Sequence, residues 1–346
     1  MRSENGGQNP RYHVPATTCP PDVPTPTDLP RLAPGDRVDE PFLVLEVETR
    51  RGDHPHTVLT LGNSTGAIPT APFWSAEQGK VAGIARRSVV HVTGEVSTYR
   101  DRRQLNVTSI QVLPTGVVES LQLLPSVGNL HRHWACLDRL RDQVERPRLR
   151  AVLDLFYENP EFRRRYEECP ASIEGHHAQL GGLLKHTAEA ATIAISIAKT
   201  AGADSELVIA GVLLHDIGKL EAYRWDGVFE ATDLNALHGH VVLGAMLLDR
   251  TVRACPHPPC TELELSILIH LILSHHGGQE FGAPVPPRTL EGEVIHHADN
   301  ASAKTASMSQ ALGTAGHFSD GAQVSRAGIW QVDRRRLYRG RSDWGS

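Results

Sequence analysis

The stretch Leu207-Val-Ile-Ala-Gly-Val-Leu-Leu-His-Asp-Ile-Gly-Lys219 decides how the chain is read. Its first part, Leu207 to Leu214, carries no charge and reads as an apolar helix, with Asp204 or Ser205 as its N-terminal cap. That helix runs to about Asp216, just before Gly218. Adjacent His215 and Asp216 point in neighbouring directions and can jointly face one cavity. A divalent ion such as manganese accepts this mixture of imidazole and carboxylate donors. A carboxylate can also bridge two ions with its two oxygens, which an imidazole cannot. Lys219, about one turn further on, is placed to hold a phosphate oxygen as a point charge. Taken alone, the pair also fits a solvent-facing helix end, so the rest of the chain has to decide.

Helical periodicity continues on both sides. One helix is expected over Leu183 to Lys199, ended by Ala201-Gly202, and others over about His238 to Val252, Thr261 to Ser274 and Leu290 to Leu312. His186 lies on the first; by itself it would pass for a hydrogen-bonded core residue. Asp299 lies among small and apolar residues of the last, where a buried carboxylate needs a cation. The order His … His-Asp … Asp therefore spans three helices, the manner in which metal sites in helical bundles are assembled. His240, in Leu237-His-Gly-His-Val, and His275-His276 offer further imidazoles at helix ends, although each also suits a solvent-facing cap. So many donors exceed one ion's share, which favours two ions bridged by Asp216. His238, His270, His296 and His297 fit better as supporting or core residues.

The 346 residues allow roughly two domains, and 40% apolar with 22% charged residues allows an ordinary core. A net charge of −5 argues against a wholesale basic, DNA-coating protein but not against a local basic groove. No apolar run reaches membrane-spanning length, and Met1 to Asn9 lacks the apolar segment of a secretory signal. Five scattered cysteines, Cys19, Cys136, Cys169, Cys255 and Cys260, read as reduced thiols of a cytoplasmic protein. Cys255 and Cys260 flank Pro256-His-Pro-Pro259, which suits a loop between helices better than a zinc knuckle.

Residues 1–37 hold eight prolines and read as a disordered tail. Residues 38–114 hold four or five short β-rich runs. These include Phe42–Glu48, Thr57–Leu61, Ser88–Val96 and Gln104–Val112, the last two joined by the polar turn Tyr99-Arg-Asp-Arg-Arg103. They suggest a small β-barrel. Residues 115–170 form a helical connector, 171–313 the helical domain with the candidate site, and 314–346 a C-terminal tail with the basic run Arg334–Arg339.

With these residues in place, the helical domain resembles the HD phosphohydrolases, whose signature is His … His-Asp … Asp on a helical bundle. More narrowly, the chain resembles the YhaM-type 3′→5′ exoribonucleases, which join an N-terminal OB-fold to an HD domain. The stretches that carry this are His176-His-Ala-Gln-Leu-Gly-Gly-Leu-Leu-Lys-His186, Leu213–Lys219, Gly239-His240, Leu273-Ser-His-His-Gly277, Glu280-Phe-Gly-Ala-Pro284 and His297-Ala-Asp-Asn300. In the strand region, Gly94–Leu105 looks like that family's late OB strands. Against the pattern, two prolines interrupt Ile68-Pro-Thr-Ala-Pro-Phe-Trp74, and the negative net charge gives no support to RNA binding.

The resemblance implies His186, His215, Asp216 and Asp299 as the primary metal set, with His240 and His275 on a second ion and His276 close by. The implied metal is manganese or a similar divalent ion, with cobalt, iron and magnesium as other choices. A homo-oligomer is an expectation from the resemblance alone. OB barrels hold single strands with a basic groove and stacking aromatics. Here Tyr99, Trp74 and Phe73 are the aromatics, and Arg86, Arg87, Arg100, Arg102 and Arg103 the charges, with Phe73 and Trp74 equally suited to core or interface. The expected activity is hydrolysis of single-stranded RNA, or DNA, from its 3′ end. Hydrolysis of a small nucleotide or cyclic dinucleotide, with the OB region as regulator, stays open. So does a non-catalytic nucleic-acid-binding module.

Overall fold

The computed structural model describes residues 26–100 and 102–340. The tail expected over 1–37, with Cys19, falls mostly outside them, but its last part is folded. Leu29–Arg31 forms a 3-10 turn, and Leu29 is buried among the strands. The guanidinium of Arg103 holds this turn by donating to the carbonyls of Leu29, Pro30 and Leu32 at 2.8–3.1 Å. Packed structure therefore starts earlier than composition suggested, because one leucine and one arginine outweigh the prolines around them.

Six strands make the N-terminal sheet: β1 (Arg37–Arg50), β2 (His56–Asn63), β3 (Gly66–Pro69), β4 (Phe73–Trp74), β5 (Val89–Tyr99) and β6 (Arg102–Val112). They run antiparallel in the order β3-β2-β1-β5-β6, with β4 on the end of β2. A register shift between Val44 and Glu46 bends β1, so its first half pairs β5 and its second half β2. Phe42, Val44, Leu59, Leu61, Val90, Val92 and Leu105 fill the concave face. The edge strands meet through a single bridge, Thr70 to Leu105, so the ladder is not continuous around a closed barrel. The prolines act as expected of residues that cannot donate to a ladder: β3 stops at Pro69 and pairing resumes as β4 after Pro72. A four-residue helix, α1 (Gln78–Val81), follows β4.

The rest is helical: α2 (Leu130–Arg141), α3 (Pro147–Tyr157), α4 (Pro160–Glu168), α5 (Gly182–Ala201), α6 (Ser205–Leu214), α7 (Lys219–Ala222), α8 (Asp233–Arg253), α9 (Glu262–Ser274) and α10 (Leu290–Gly313). A two-strand hairpin, β7 (Tyr223–Arg224) with β8 (Glu230–Ala231), sits between α7 and α8. Helix α6 is the axis of this half. Every residue from Val208 to Leu214 is buried, as an all-round apolar helix must be, and α2, α3, α5, α9 and α10 all pack on it. Asp204 caps it by accepting from the Leu207 amide, and Gly202, at φ 71°, ends α5.

Two glycines permit the crossing that builds the site. A Cβ on Gly218 would lie 2.0 Å from the His240 carbonyl oxygen and 2.3 Å from the Gly244 nitrogen, so only glycine lets the turn after Asp216 touch α8. Gly239, at φ 70°, kinks α8 just before His240.

The halves meet over Leu43, Leu45 and Val89 from the sheet and Leu121, Leu123, Leu124, Leu180, Val228 and Phe229 from the helical side. Arg86 and Arg87 both pair with Glu230 on β8. These two arginines, expected in a nucleic-acid groove, instead join the halves. The expected C-terminal tail is also packed: Phe318, Ile329, Val332 and Leu337 cluster on Ala311 of α10. Of the basic run, Arg335, Arg336 and Arg339 donate to carbonyls of Val332, Ser325 and Ala322, so these three are tied to their own lobe. Among the described residues, no helix is long and apolar enough to cross a membrane.

Because Gly218 faces backbone rather than a movable side chain, Gly218→Ala is expected to cost at least about 1–3 kcal/mol. Urea unfolding checks this; an unchanged midpoint would mean that α8 can retreat at no cost.

Candidate metal centre

The site forms where the end of α6 meets α5, α8, α9 and α10. Asp216, only 1% exposed, stands at its centre. Its Oδ2 faces His215 Nε2 at 3.1 Å and His186 Nε2 at 3.4 Å, and accepts from Lys219 Nζ at 2.6 Å. Its Oδ1 faces His240 Nε2 at 3.5 Å and His275 Nε2 at 3.7 Å. The two oxygens of one carboxylate therefore look at two different sets of imidazoles. Asp299 completes the first set, with Oδ1 3.0 Å from His186 Nε2 and 3.9 Å from His215 Nε2. His276 completes the second, its ring 4.3 Å from that of His275 and 5.0 Å from that of His240. Among the described residues, two clusters bring at least three donor atoms within reach of one ion: His186 with His215 and Asp216, and His240 with His275 and His276.

Four of the five imidazoles are held from behind. His215 Nδ1 lies 2.7 Å from the Val212 carbonyl, His275 Nδ1 2.6 Å from that of Ile272, and His276 Nδ1 2.8 Å from that of Phe281. A carbonyl only accepts, so the proton sits on Nδ1 and the Nε2 lone pair faces the site. His186 Nδ1 lies 3.1 Å from the Ser302 hydroxyl. That hydroxyl donates to Glu189 Oε2, which also bonds His177 Nε2 at 2.8 Å, so Ser302 accepts from His186. This is the back-side support that metal-ligating histidines carry.

The electrostatics differ between the two sets of imidazoles. Burial opposes ionisation of Asp216, but Lys219, His215 and His186 outweigh it and hold its carboxyl well below the usual range. Asp299 is lowered likewise, burial again being overcome, here chiefly by His186. Burial disfavours the charged form of His186, yet its bonds to Asp216 and Asp299 raise it to about 9. On the other side, burial and Lys219 lower His240 to about 3, and burial with His276 lowers His275 well below its ordinary value. Neutral imidazoles beside a carboxylate are the form a metal binds.

Whether a metal suits these residues can be judged from atoms left without partners. Asp216 Oδ1, His240 Nε2 and His275 Nε2 are all buried and make no hydrogen bond. Three unpartnered polar atoms converging on one spot would be costly in a purely structural core, and a shared cation satisfies all three. The residues fit a divalent metal.

The seven metal candidates from the sequence thus come together. Lys219 does not point out toward a free phosphate; it is buried against Asp216. His238 and His297 are exposed, His270 Nε2 accepts from the Arg288 amide, and His296 Nδ1 bonds the His275 carbonyl. Cys255 and Cys260 occupy the α8–α9 loop and, among the described residues, join no metal-binding group. Phe73 is buried in the core of the sheet, while Trp74 is half exposed beside His56. Tyr99 and Arg100, with Arg102, are at the tip of the β5–β6 hairpin, the opposite end of β5 from the interface residue Val89. Arg103 is engaged with the 29–32 turn. Sequence reasoning missed His176, whose ring lies 5.0 Å from that of His186 and whose buried Nε2 is unpartnered. It also missed Ser302 and Glu189. The doubled His176-His177 before α5 was the available signal for the first; nothing local marks the others.

Residues 183–304, which hold His186, His215-Asp216 and Asp299, match the family model described as HD domain. The chain carries that domain, and its likeness to known proteins extends well beyond it. It is 28% identical over 286 residues to the 3′-5′ exoribonuclease YhaM of Bacillus subtilis, covering 80% of this chain and 88% of that one. The YhaM proteins of Shouchella clausii (28% over 317 residues, 88% and 94% covered) and Bacillus velezensis (29% over 287 residues, 80% and 88% covered) match similarly.

Removing the support behind His186 tests the first cluster. Ser302→Ala is expected to weaken binding of manganese about 10–100-fold, as loss of a ligand's outer partner does. Calorimetric titration of the metal-stripped chain measures it; unaltered affinity would show that His186 needs no such partner.

Proposed function

We propose that the chain is a metal-dependent 3′→5′ exoribonuclease that shortens single-stranded RNA to nucleoside monophosphates. The observation that carries the chemistry is the division of Asp216 between two imidazole clusters, the layout of a two-ion phosphodiesterase site. The names of the similar proteins, 3′-5′ exoribonucleases, support the direction and the substrate.

In this reading His186, His215, Asp216 and Asp299 would hold one divalent ion, and His240, His275 and His276, together with Asp216, would hold a second. Manganese suits the mixed nitrogen and oxygen donors. Such ions activate water and offset charge developing on phosphoryl oxygens. The protein's own part is to fix the geometry beforehand. Nδ1 bonds to backbone carbonyls lock His215, His275 and His276, so these rings need not reorient during reaction. Lys219 keeps a buried positive charge on Asp216 and adds to the field felt by a phosphoryl oxygen nearby. Water is the nucleophile, and no side chain has to form a covalent intermediate.

The N-terminal sheet, although not closed into a barrel, is read as an OB-type element that holds the strand. Tyr99 is 59% exposed with the Arg100 guanidinium 5.2 Å from its ring centre, a surface suited to stacking and phosphate contact. Trp74 and Arg102 extend the same role. A cleft of about 1180 Å³ lies between Thr65-Gly66 of the sheet and helices α2, α5 and α10, with Arg132 and Lys185 on its walls. Its lining includes Ser302, which bonds the back of the His186 ring, and Glu189, which bonds Ser302, so the cleft ends beside the first cluster. The reduced cysteines suit a cytoplasmic enzyme.

With manganese present, 5′-labelled single-stranded RNA is expected to shorten stepwise with release of monophosphates. Chelation is expected to stop it, and Asp216→Asn to slow it by about a thousandfold or more. Intact RNA with rapid hydrolysis of a free nucleotide or cyclic dinucleotide would favour the small-substrate reading instead.

A further inference from the structure

A second cavity, of about 510 Å³, opens on the other side of the clusters. His240 and His276 line it, together with the neighbouring residues of 238–242 and, from the following loop, Gln279 and Phe281–Pro284. The loop is held by its own backbone: Phe281 N and Ala283 N donate to the Gly278 carbonyl, and Gly282 N to that of Gln279. Gly277 and Gly282, at φ 80° and 92°, allow the turns. His276 Nδ1 donates to the Phe281 carbonyl, which ties the loop to an imidazole of the second cluster. The Phe281 ring itself is 67% exposed and joins none of the buried clusters, yet it lines this cavity. A large apolar ring on a fixed backbone, beside a phosphate-reacting centre, is out of place as packing and well placed as a stacking surface.

We infer that this cavity receives the 3′-terminal nucleoside, with Phe281 stacking on its base. The inference rests on the exonuclease reading above. An exonuclease needs room for only one residue beyond the scissile phosphate, and 510 Å³ is of single-ligand size, whereas the 1180 Å³ cleft on the other side suits the body of the strand. Phenylalanine has no hydrogen-bonding group, so the site accepts any of the four bases, as stepwise degradation of arbitrary sequence requires. The ligand class is a nucleoside 5′-phosphate.

The test uses the full chain and two readouts. The first is removal of the last residue from 5′-labelled RNA ending in an ordinary nucleotide or in an abasic one, by wild type, Phe281→Ala and Phe281→Trp. Wild type is expected to favour the ordinary end by about tenfold, mainly in KM, Phe281→Ala to lose that factor and treat both ends alike, and Phe281→Trp to restore the preference. Equal preference in wild type and Phe281→Ala would overturn the inference. The second readout is binding of adenosine monophosphate against ribose 5-phosphate, by calorimetry. A preference for the nucleotide that disappears in Phe281→Ala supports the nucleoside site even if RNA is not shortened, in which case the exonuclease reading alone fails. The same preference in both proteins, or none in wild type, rejects Phe281 as the platform whatever happens to RNA.

Discussion

A carboxylate removed from water is tolerated only when surrounding groups replace its hydration, and Asp216 is removed almost completely. Much of the helical half can be understood as meeting that demand. Lys219 returns from the following turn to one oxygen, and two imidazoles from α5 and the end of α6 stand beside it. The other oxygen faces only the bare nitrogens of His240 and His275. The all-apolar α6 is what drives its own C-terminus, and Asp216 with it, into the middle of the bundle. Gly218 and the kink at Gly239 then bring α8 close enough for His240 to reach. The folding force and the functional geometry share one element.

The sheet contributes in a different way. It is joined to the helical half by an apolar patch and by the Arg86–Arg87–Glu230 ion pairs, at the end of β5 away from Tyr99. This leaves the β5–β6 tip exposed and creates the long cleft beside α5 and α10. Two openings lie near the clusters, one large, shared by both halves and behind His186, and one small, lined by His240, His276 and residues of the Gln279–Pro284 loop.

Features set by local spacing were legible in the sequence. The helices carrying His186, His215-Asp216, His240, His275 and Asp299 announce themselves through apolar period, caps and glycine stops, and the polar residues interrupting those faces mark the site. What was not legible depends on contacts between distant segments. Nothing near Arg86, Arg87 or Arg103 tells that they are bound to Glu230 or to the carbonyls of 29–32, so all three looked available to RNA. Leu29 looked like part of a proline-rich tail, and residues after 314 like another, because each segment packs through a few apolar side chains scattered among polar ones. Ser302 is an ordinary helix residue until His186 is seen 3.1 Å away.

The claim on which the account turns is that Asp216 joins two cation sites. Anomalous diffraction from crystals of the full chain grown with manganese addresses it directly. The account predicts two peaks on either side of the Asp216 carboxylate, one among His186, His215 and Asp299, the other among His240, His275 and His276. Absence of any peak there, with Asp216 contacting Lys219 and the imidazoles alone, would contradict it.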